Sequence, residues 1–190
     1  MPDVATLGAL PPDCWQRLFA NDRPVAVEIG PGRGEFLLHN ARTHPACNFF
    51  AIEHSASRAR EIGAKLARSG LTNVRVIAGD ATCLIDWLPD ASVAAFHVLF
   101  PDPWWKRRHF KRRLWTPSFV AALSRALAQQ GTVELVTDVD EYFALAQEQL
   151  AAEPRLEVVL VGEAEQLETS FARKARQRGA PLYRSVHRRR

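Results

Sequence analysis

Short apolar stretches alternate along this chain with segments in which apolar residues recur at helical spacing. Strands are predicted at residues 25–29, 49–52, 74–78, 93–99, 132–136, 156–161 and about 182–186. Helices are predicted at residues 35–42, 57–68, 117–129 and 141–152, with Gly70 and Gly131 where helices would stop. Regular alternation of strands and helices predicts an α/β fold around a parallel sheet.

Composition favours one globular domain over residues 1–190. With 47% hydrophobic and 24% charged residues, the chain can bury one sizeable core. Its apolar runs are far shorter than the ~20 residues of a spanning helix, and the acid at position 3 does not fit a secretory signal. We therefore expect a cytoplasmic protein without a membrane segment, either a monomer or a homodimer. The three cysteines are far apart and form no Cys-x-x-Cys pair, so no metal is expected.

The charge is distributed unevenly along the chain. Residues 106–113 contain six Lys or Arg side chains, residues 173–190 contain eight, and neither segment contains an Asp or Glu. The rest of the chain holds only 11 of the 25 basic residues and all 21 acidic ones. An acidic body with two concentrated basic segments favours a polyanionic partner such as RNA over a merely solvated charge run.

A glycine-rich turn leads from the first predicted strand into a helix, with the sequence Glu-Ile-Gly-Pro-Gly-Arg-Gly-Glu at residues 28–35. Dinucleotide sites favour Gly-x-Gly-x-x-Gly, but here the third glycine comes one residue early. Glu28 and Glu35 flank the turn, where they would repel a pyrophosphate and attract an ammonium or sulfonium group. S-adenosylmethionine carries both cations and no phosphate, so we expect Glu28, Gly30 and Gly32 to bind it.

Two further acids follow the next two predicted strands. Glu53 ends the second strand, near the spacing at which an acid accepts hydrogen bonds from a ribose diol. Asp80 follows the third strand and can accept from an adenine amino group, while Ala81 offers its backbone N–H. Because the carboxyl ends of parallel strands meet at one edge of the sheet, Glu28, Glu53 and Asp80 predict one cofactor site.

The fourth predicted strand runs into Phe-Pro-Asp-Pro-Trp-Trp at residues 100–105, followed by the first basic segment. Prolines on both sides of Asp102 restrict the backbone, which presents its carboxylate in a fixed geometry. A carboxylate can accept from the Watson–Crick edge of guanine, and Trp104 or Trp105 can either stack on a flipped base or pack beneath the loop. Asp102 is thus the candidate catalytic residue, at the junction of cofactor and substrate.

These motifs resemble those of the bacterial transfer RNA (guanine-N7)-methyltransferases. The resemblance extends from about residue 25 to residue 186 and is carried most specifically by the block at residues 100–114. It is also carried by residues 28–34, 52–53, 79–81, 137–138 and 141–142, and by Thr169-x-Phe171. It implies a class I methyltransferase (Rossmann-like) fold with six parallel strands, an antiparallel seventh and helices on both faces.

The resemblance also implies roles for individual residues. The acids Glu28, Glu53, Asp80 and Asp102 would surround S-adenosylmethionine and the reacting centre. Lys106, Asp138 and Thr169 would contact the substrate. The residues that would meet RNA are Arg108, Lys111, Arg112 and Arg113. The implied reaction is methylation of a variable-loop guanosine of transfer RNA at N7.

One motif departs from the family pattern, and alternatives to this function remain. The family's Thr-x-Phe-Glu reads Thr169-Ser170-Phe171-Ala172 here. The missing glutamate predicts weak methylation that Ala172→Glu would improve, or else a methyltransferase-fold RNA-binding protein with altered substrate or lost catalysis. A nicotinamide-dependent oxidoreductase is disfavoured by the acids around the glycine turn, and a small-molecule or protein methyltransferase has no need of two basic segments.

Overall fold

A seven-stranded sheet organises the protein. The computed structural model describes residues 10–104, 108, 113–164, 167 and 169–190. The strands are β1 (Val25–Ile29), β2 (Asn48–Glu53), β3 (Val74–Ala78), β4 (Val93–Leu99), β5 (Leu127–Thr137), β6 (Leu156–Glu163) and β7 (Tyr183–Arg189). Their order is β3-β2-β1-β4-β5-β7-β6, and β7 alone runs antiparallel to its neighbours. The predicted α/β class with a mostly parallel sheet is confirmed.

Helices cover both faces of the sheet. They are α1 (Cys14–Phe19), α2 (Glu35–Thr43), α3 (Ala56–Ser69), α4 (Ala81–Leu84), a 3-10 turn (Ile85–Trp87), α5 (Pro117–Ala126), α6 (Asp140–Ala151) and α7 (Ser170–Gln177). Val25 and Val27 of β1 join the large core packed against α5 and α6, whereas Ala26 joins the core beneath α2 and α3. Successive strand residues alternate between faces, which explains why β1 is buried throughout. No helix in the described ranges has the length and apolarity needed to cross a bilayer.

The start of β5 differs from the sequence prediction. The helix predicted at residues 117–129 ends at Ala126, and β5 begins at Leu127 rather than at residue 132. Leu127 is fully buried and pairs with Val93 of β4, so tertiary pairing overrides the helical propensity of the Leu-Ala-Gln-Gln segment. Gly131 is therefore a strand residue and not a helix stop. The short helices α1, α4 and α7 were not predicted, because they are too brief to give a clear period.

Replacing Gly131 by alanine is expected to destabilise the fold by about 1 to 3 kcal/mol through overpacking. A Cβ there would lie 2.9 Å from the Ala128 carbonyl oxygen and 3.0 Å from that of Val93, and backbone atoms cannot move aside as a side chain can. Gly63→Ala is the matched control, because a Cβ there meets nothing within 4 Å inside α3 and should be neutral or stabilising. Urea unfolding midpoints compare the two, and equal stability of both variants would contradict this packing.

Candidate functional site

A cavity of about 690 Å³ opens at the carboxyl ends of β1 to β4, where α7 also approaches. This volume lies within the range of small-molecule sites in proteins. The fold brings together most of the residues that the sequence assigned to cofactor and substrate. Those on the cavity wall are Glu28, Gly30, Gly32, Glu53, Asp80, Ala81, Asp102 and Thr169.

The glycine turn has a backbone that only glycine adopts readily. Gly30, Gly32 and Gly34 have φ angles of 71°, 56° and 73°, all in the left-handed region. The Gly30 N–H donates to the carbonyl oxygen of Ile52 at 2.9 Å, which fastens the turn to β2. The turn therefore brings bare backbone to the cavity edge, as the sequence predicted.

Glu53 is buried and fixed by two backbone donors. Its Oε2 accepts from the Gly32 N–H at 3.1 Å, and its Oε1 accepts from the Ser55 N–H at 2.8 Å. Each carboxylate oxygen retains a second lone pair for a ligand hydroxyl. Glu53 thus shapes the glycine turn in addition to facing the cavity.

Glu28 is the most perturbed acid of the cavity. The residue is 4% exposed, and its Oε2 accepts no hydrogen bond within the described part of the chain. Burial, followed by repulsion from the Glu53 charge, raises the pKa of Glu28 to about 8. An unpaired buried carboxyl in a cavity fits a ligand that donates hydrogen bonds and carries positive charge.

Asp80 has a structural task that the sequence did not reveal. Its Oδ1 accepts from the Thr82 N–H at 2.9 Å and from the Thr82 hydroxyl at 2.7 Å, which caps α4. Ala81 is the first residue of that helix and is buried at the cavity wall. The cap holds the Asp80 carboxylate at the cavity edge, where its other oxygen can meet a ligand.

Asp102 lies on the exposed side of the cavity, in the segment after β4. Phe100 begins this segment with a left-handed backbone, at a φ angle of 52°, and its N–H donates to the Val136 carbonyl oxygen at 2.7 Å. Such a conformation is strained for a bulky residue and is concentrated at functional sites. Arg113 Nε donates to the Pro103 carbonyl oxygen at 3.1 Å, and this hydrogen bond holds the backbone just after Asp102 in place.

The first turn of α7 reaches the cavity from the other end of the chain. Thr169 caps α7, since its hydroxyl accepts from the Ala172 N–H at 3.1 Å. The Glu35 carboxylate accepts from the Ser170 N–H and lies 3.5 Å from Arg173 Nη2. Glu35 also lies on the wall of the cavity, where the sequence predicted it to favour a ligand cation, and its bond to the amino end of α7 places it where a helix dipole favours negative charge.

Ala172 is fully buried, in an apolar cluster that includes Leu99, Val136 and Leu182. A glutamate at this position would place a carboxylate among hydrocarbon side chains, which is costly. The structure therefore argues against the expectation that Ala172→Glu improves activity. The carboxylate at the start of α7 comes from Glu35 on α2.

Some predicted residues lie elsewhere. Asp138 is not on the cavity wall, and its Oδ2 accepts a hydrogen bond from Arg178 Nη2 at 2.8 Å. Arg108 is exposed and Arg113 is half-buried outside the wall. Lys106, Lys111, Arg112 and Trp105 lie outside the described residues, while Trp104 lines the cavity.

The cavity also includes residues to which the sequence gave no role. Phe171 and Phe100 stack on each other at its edge, and Arg33 and Arg58 lie along its rim. The sequence signal for Phe171 was its place in the Thr-x-Phe motif, but its exposure appears only in the fold. Across the described ranges, no three His, Cys, Asp or Glu side chains are grouped to hold a metal ion.

Comparison with known proteins agrees with this geometry. Residues 22–184 match the family described as "Putative methyltransferase". The chain is 37% identical to the tRNA (guanine-N(7)-)-methyltransferase of Rhodopirellula baltica, over 92% of this chain and 69% of that protein. It is 35% identical to the enzyme of that name from Geobacillus kaustophilus, over 90% of this chain and 81% of that protein.

Solved structures with low sequence identity share the fold. The 16S rRNA methyltransferase KamB superposes with a TM-score of 0.74 at 18% identity, over 94% of both chains. The aminoglycoside resistance methyltransferase NpmB1 gives 0.72 at 18% identity, over 98% of this chain and 97% of that one. These structures show the fold, and the family match together with the sequence relatives shows that the chain belongs to the tRNA (guanine-N(7)-)-methyltransferase family.

Proposed function

We propose that this protein transfers a methyl group from S-adenosylmethionine to N7 of a guanine in transfer RNA, with the variable-loop guanosine as the expected target. The observation that carries the proposal is the cavity itself, in a chain of this family. Its inner wall has a buried, unpaired Glu28, and its exposed side has Asp102. One end therefore suits a small cationic ligand, and the other remains accessible to a macromolecule.

The inner wall fits the cofactor group by group. Glu28 would pair with a positively charged donor group of the cofactor, Glu53 would accept from the ribose hydroxyls, and Asp80 would accept from the adenine amino group beside the Ala81 N–H. A Cβ on Gly30 would meet nothing within 4 Å, so a ligand can approach the backbone there closely, while Phe171 borders the same turn at Gly32. When bound, S-adenosylmethionine supplies an electrophilic methyl group on a sulfonium.

Replacing Glu53 by alanine is expected to weaken binding of S-adenosylhomocysteine by about 1 to 3 kcal/mol, through lost charge-assisted hydrogen bonds. The Gly32 N–H also loses its acceptor, which adds to the loss by loosening the turn. Titration calorimetry measures the change, with Glu61→Ala on the exposed surface of α3 as the matched control. Tight binding of NAD, without any response to S-adenosylhomocysteine, would overturn the cofactor assignment.

The chemistry at guanine needs alignment more than a base. N7 carries an exposed lone pair and no proton, so the methyl passes from sulfur to N7 and S-adenosylhomocysteine leaves. Positive charge develops on the purine as the bond forms. Asp102 would stabilise that charge and orient the ring, and its position on the cavity wall supports assigning it as the catalytic residue.

The RNA surface is assigned to the two basic segments. Arg173, Lys174, Arg176 and Arg178 lie on or directly after α7, whose first turn borders the cavity. Lys106, Arg108, Lys111, Arg112 and Arg113 follow Asp102 in the chain. Phosphate contacts release counterions, so transfer RNA affinity should fall steeply with salt. Asp138 would contribute to substrate binding by positioning Arg178, to which it is bonded.

The expected location of the protein is the cytoplasm.

A non-catalytic RNA-binding role is not favoured. Its only support was the missing family glutamate at Ala172. Glu35 supplies a carboxylate at the amino end of α7, where it accepts a hydrogen bond from the Ser170 N–H. The functional test is methyl transfer to two transcripts of one transfer RNA, made with guanosine or with 7-deazaguanosine. We expect methyl uptake with guanosine only, because 7-deazaguanine has carbon in place of N7. Equal methyl uptake by both transcripts would show that an atom other than N7 is methylated.

A further inference from the structure

Phe171 is unusually exposed for an aromatic side chain. It is 54% exposed, and no other Phe, Tyr or Trp in the described ranges is classed as exposed. Large apolar side chains left open at a cavity are typical of ligand contacts rather than of packing. Phe171 lies on the wall of the cavity that contains Asp102.

The ring of Phe171 is held from one side. It stacks on Phe100 with ring centroids 5.7 Å apart and an interplanar angle of 20°. Its Cε2 edge approaches the glycine turn, since a Cβ on Gly32 would lie 3.7 Å away. The backbone beneath it is fixed by the Thr169 cap and by the bond from the Ser170 N–H to Glu35. Phe171 is thus a rigid platform whose remaining surface is open.

The strained backbone of Phe100 connects this platform to the reaction centre. Its left-handed conformation directs the chain into the Pro101–Asp102–Pro103 segment, while its ring supports Phe171. The acids assigned to the cofactor lie on β1, β2 and after β3, whereas Asp102 follows β4 and Phe171 lies between the glycine turn and Phe100, which also follows β4. The position of Phe171 therefore suits the substrate base better than the adenine of the cofactor.

We infer that the target guanine stacks on Phe171 during methyl transfer, which makes Phe171 a substrate-positioning residue. The inference rests on the proposed function. A base taken out of an RNA stack loses its neighbours, and an aromatic ring replaces that contact without reading the base identity. Selection of guanine is then left to polar groups such as Asp102, and Phe171 fixes the plane in which N7 is presented.

The test compares Phe171→Leu, which keeps apolar bulk but removes the aromatic face, with Phe171→Tyr, which retains it. We expect Phe171→Leu to lower kcat/KM for transfer RNA by about 10-fold or more, in line with measured base–aromatic stacking. Phe171→Tyr should restore most of that loss. Affinity for S-adenosylhomocysteine should stay within about twofold in both variants. Val161→Ala, at a residue 59% exposed on β6, is the control for a surface apolar change.

A spectroscopic readout separates stacking from general loss of structure. The methylated guanosine is located on the wild-type product, and 2-aminopurine replaces it in a synthetic transfer RNA. Stacking on an aromatic ring quenches 2-aminopurine, so the complex with Phe171→Leu should fluoresce more strongly than those with wild type and Phe171→Tyr. The melting temperature of each variant confirms that it is folded.

Several results would overturn the inference while leaving the proposed function intact. Wild-type kcat/KM and fluorescence in Phe171→Leu would show that the base does not stack there. Loss of S-adenosylhomocysteine affinity in Phe171→Leu would show that the ring contacts the cofactor rather than the substrate base. If Trp104→Leu dequenches the probe and Phe171→Leu does not, the platform is Trp104. Absence of 7-methylguanosine with the wild-type protein is the separate result that would reject the proposed function.

Discussion

Asp102→Asn is expected to lower the rate of methyl transfer by about 100-fold or more and to leave the fold unchanged. The substitution keeps the shape of the side chain but removes the negative charge that faces the developing purinium, and one such group is commonly worth this factor. Because Asp102 is exposed, its loss leaves no buried group unpaired. Single-turnover rates at saturating cofactor and transfer RNA measure the effect.

Two comparisons isolate the role of Asp102 in that experiment. Asp22→Asn changes the same chemical group at an exposed position away from the cavity and should have no effect on the rate. Melting temperatures should agree among wild type and both variants. Turnover by Asp102→Asn close to that of wild type would remove Asp102 from the reaction centre.

Glu28→Gln is expected to stabilise the ligand-free protein at pH 8 and to remove a pH dependence of its stability. The pKa of Glu28 is raised to about 8 in the fold, against an ordinary value of 4.5. Between these values the folded protein holds a proton that the unfolded chain has released. The contribution of Glu28 to stability is therefore greatest below pH 4.5 and is lost as the pH rises towards 8, by up to about 1.4 kcal/mol per pH unit.

Urea unfolding of wild type and Glu28→Gln between pH 5 and 8.5 measures this difference. Burial also lowers the pKa of His187, whose effect has the opposite sign, because stability then rises as the pH rises towards 6.5. The difference between the two proteins, rather than the wild-type curve alone, isolates Glu28. Parallel curves for the two proteins would mean that Glu28 is ionised in the fold.

The same substitution should weaken binding of S-adenosylhomocysteine by about 10-fold or more, because a charge-assisted hydrogen bond becomes a neutral one. In wild type, the cationic ligand favours the ionised carboxylate, so binding near neutral pH should release up to about one proton. Calorimetry in buffers of different ionisation enthalpy detects that proton. A binding enthalpy that is the same in all of these buffers would indicate that Glu28 keeps its protonation state when the ligand binds.

Local pattern was enough to predict the sheet and the inner wall of the cavity. Apolar runs located all seven strands, including β6, of whose residues only Leu156 is buried. Glu28, Glu53 and Asp80 converge as expected, because parallel strands present their carboxyl ends at one edge. The predicted ends of helices and strands were less accurate where strand pairing competes with helical propensity, as at Leu127, which pairs with Val93 of β4.

Features that depend on contacts between distant residues could not be predicted. The bond between Glu35 and Ser170 joins positions 135 residues apart and gives Glu35 a structural role in addition to its place on the cavity wall. Asp138 accepts a hydrogen bond from Arg178, 40 residues further along the chain, and no nearby sequence gives a signal for this contact. The burial of Ala172 and the exposure of Phe171 have the same origin, because both depend on how α7 packs against the ends of β4 and β5.

The most direct measurement is the identity of the methylated nucleoside. Unmodified transfer RNA is incubated with the protein and S-adenosylmethionine carrying an isotopically labelled methyl group, then digested to nucleosides and resolved by mass spectrometry against standards. The predicted result is labelled 7-methylguanosine as the main product, strongly reduced with Asp102→Asn. A labelled nucleoside other than 7-methylguanosine, or no labelled nucleoside at all from protein that binds S-adenosylhomocysteine, would contradict the proposed reaction.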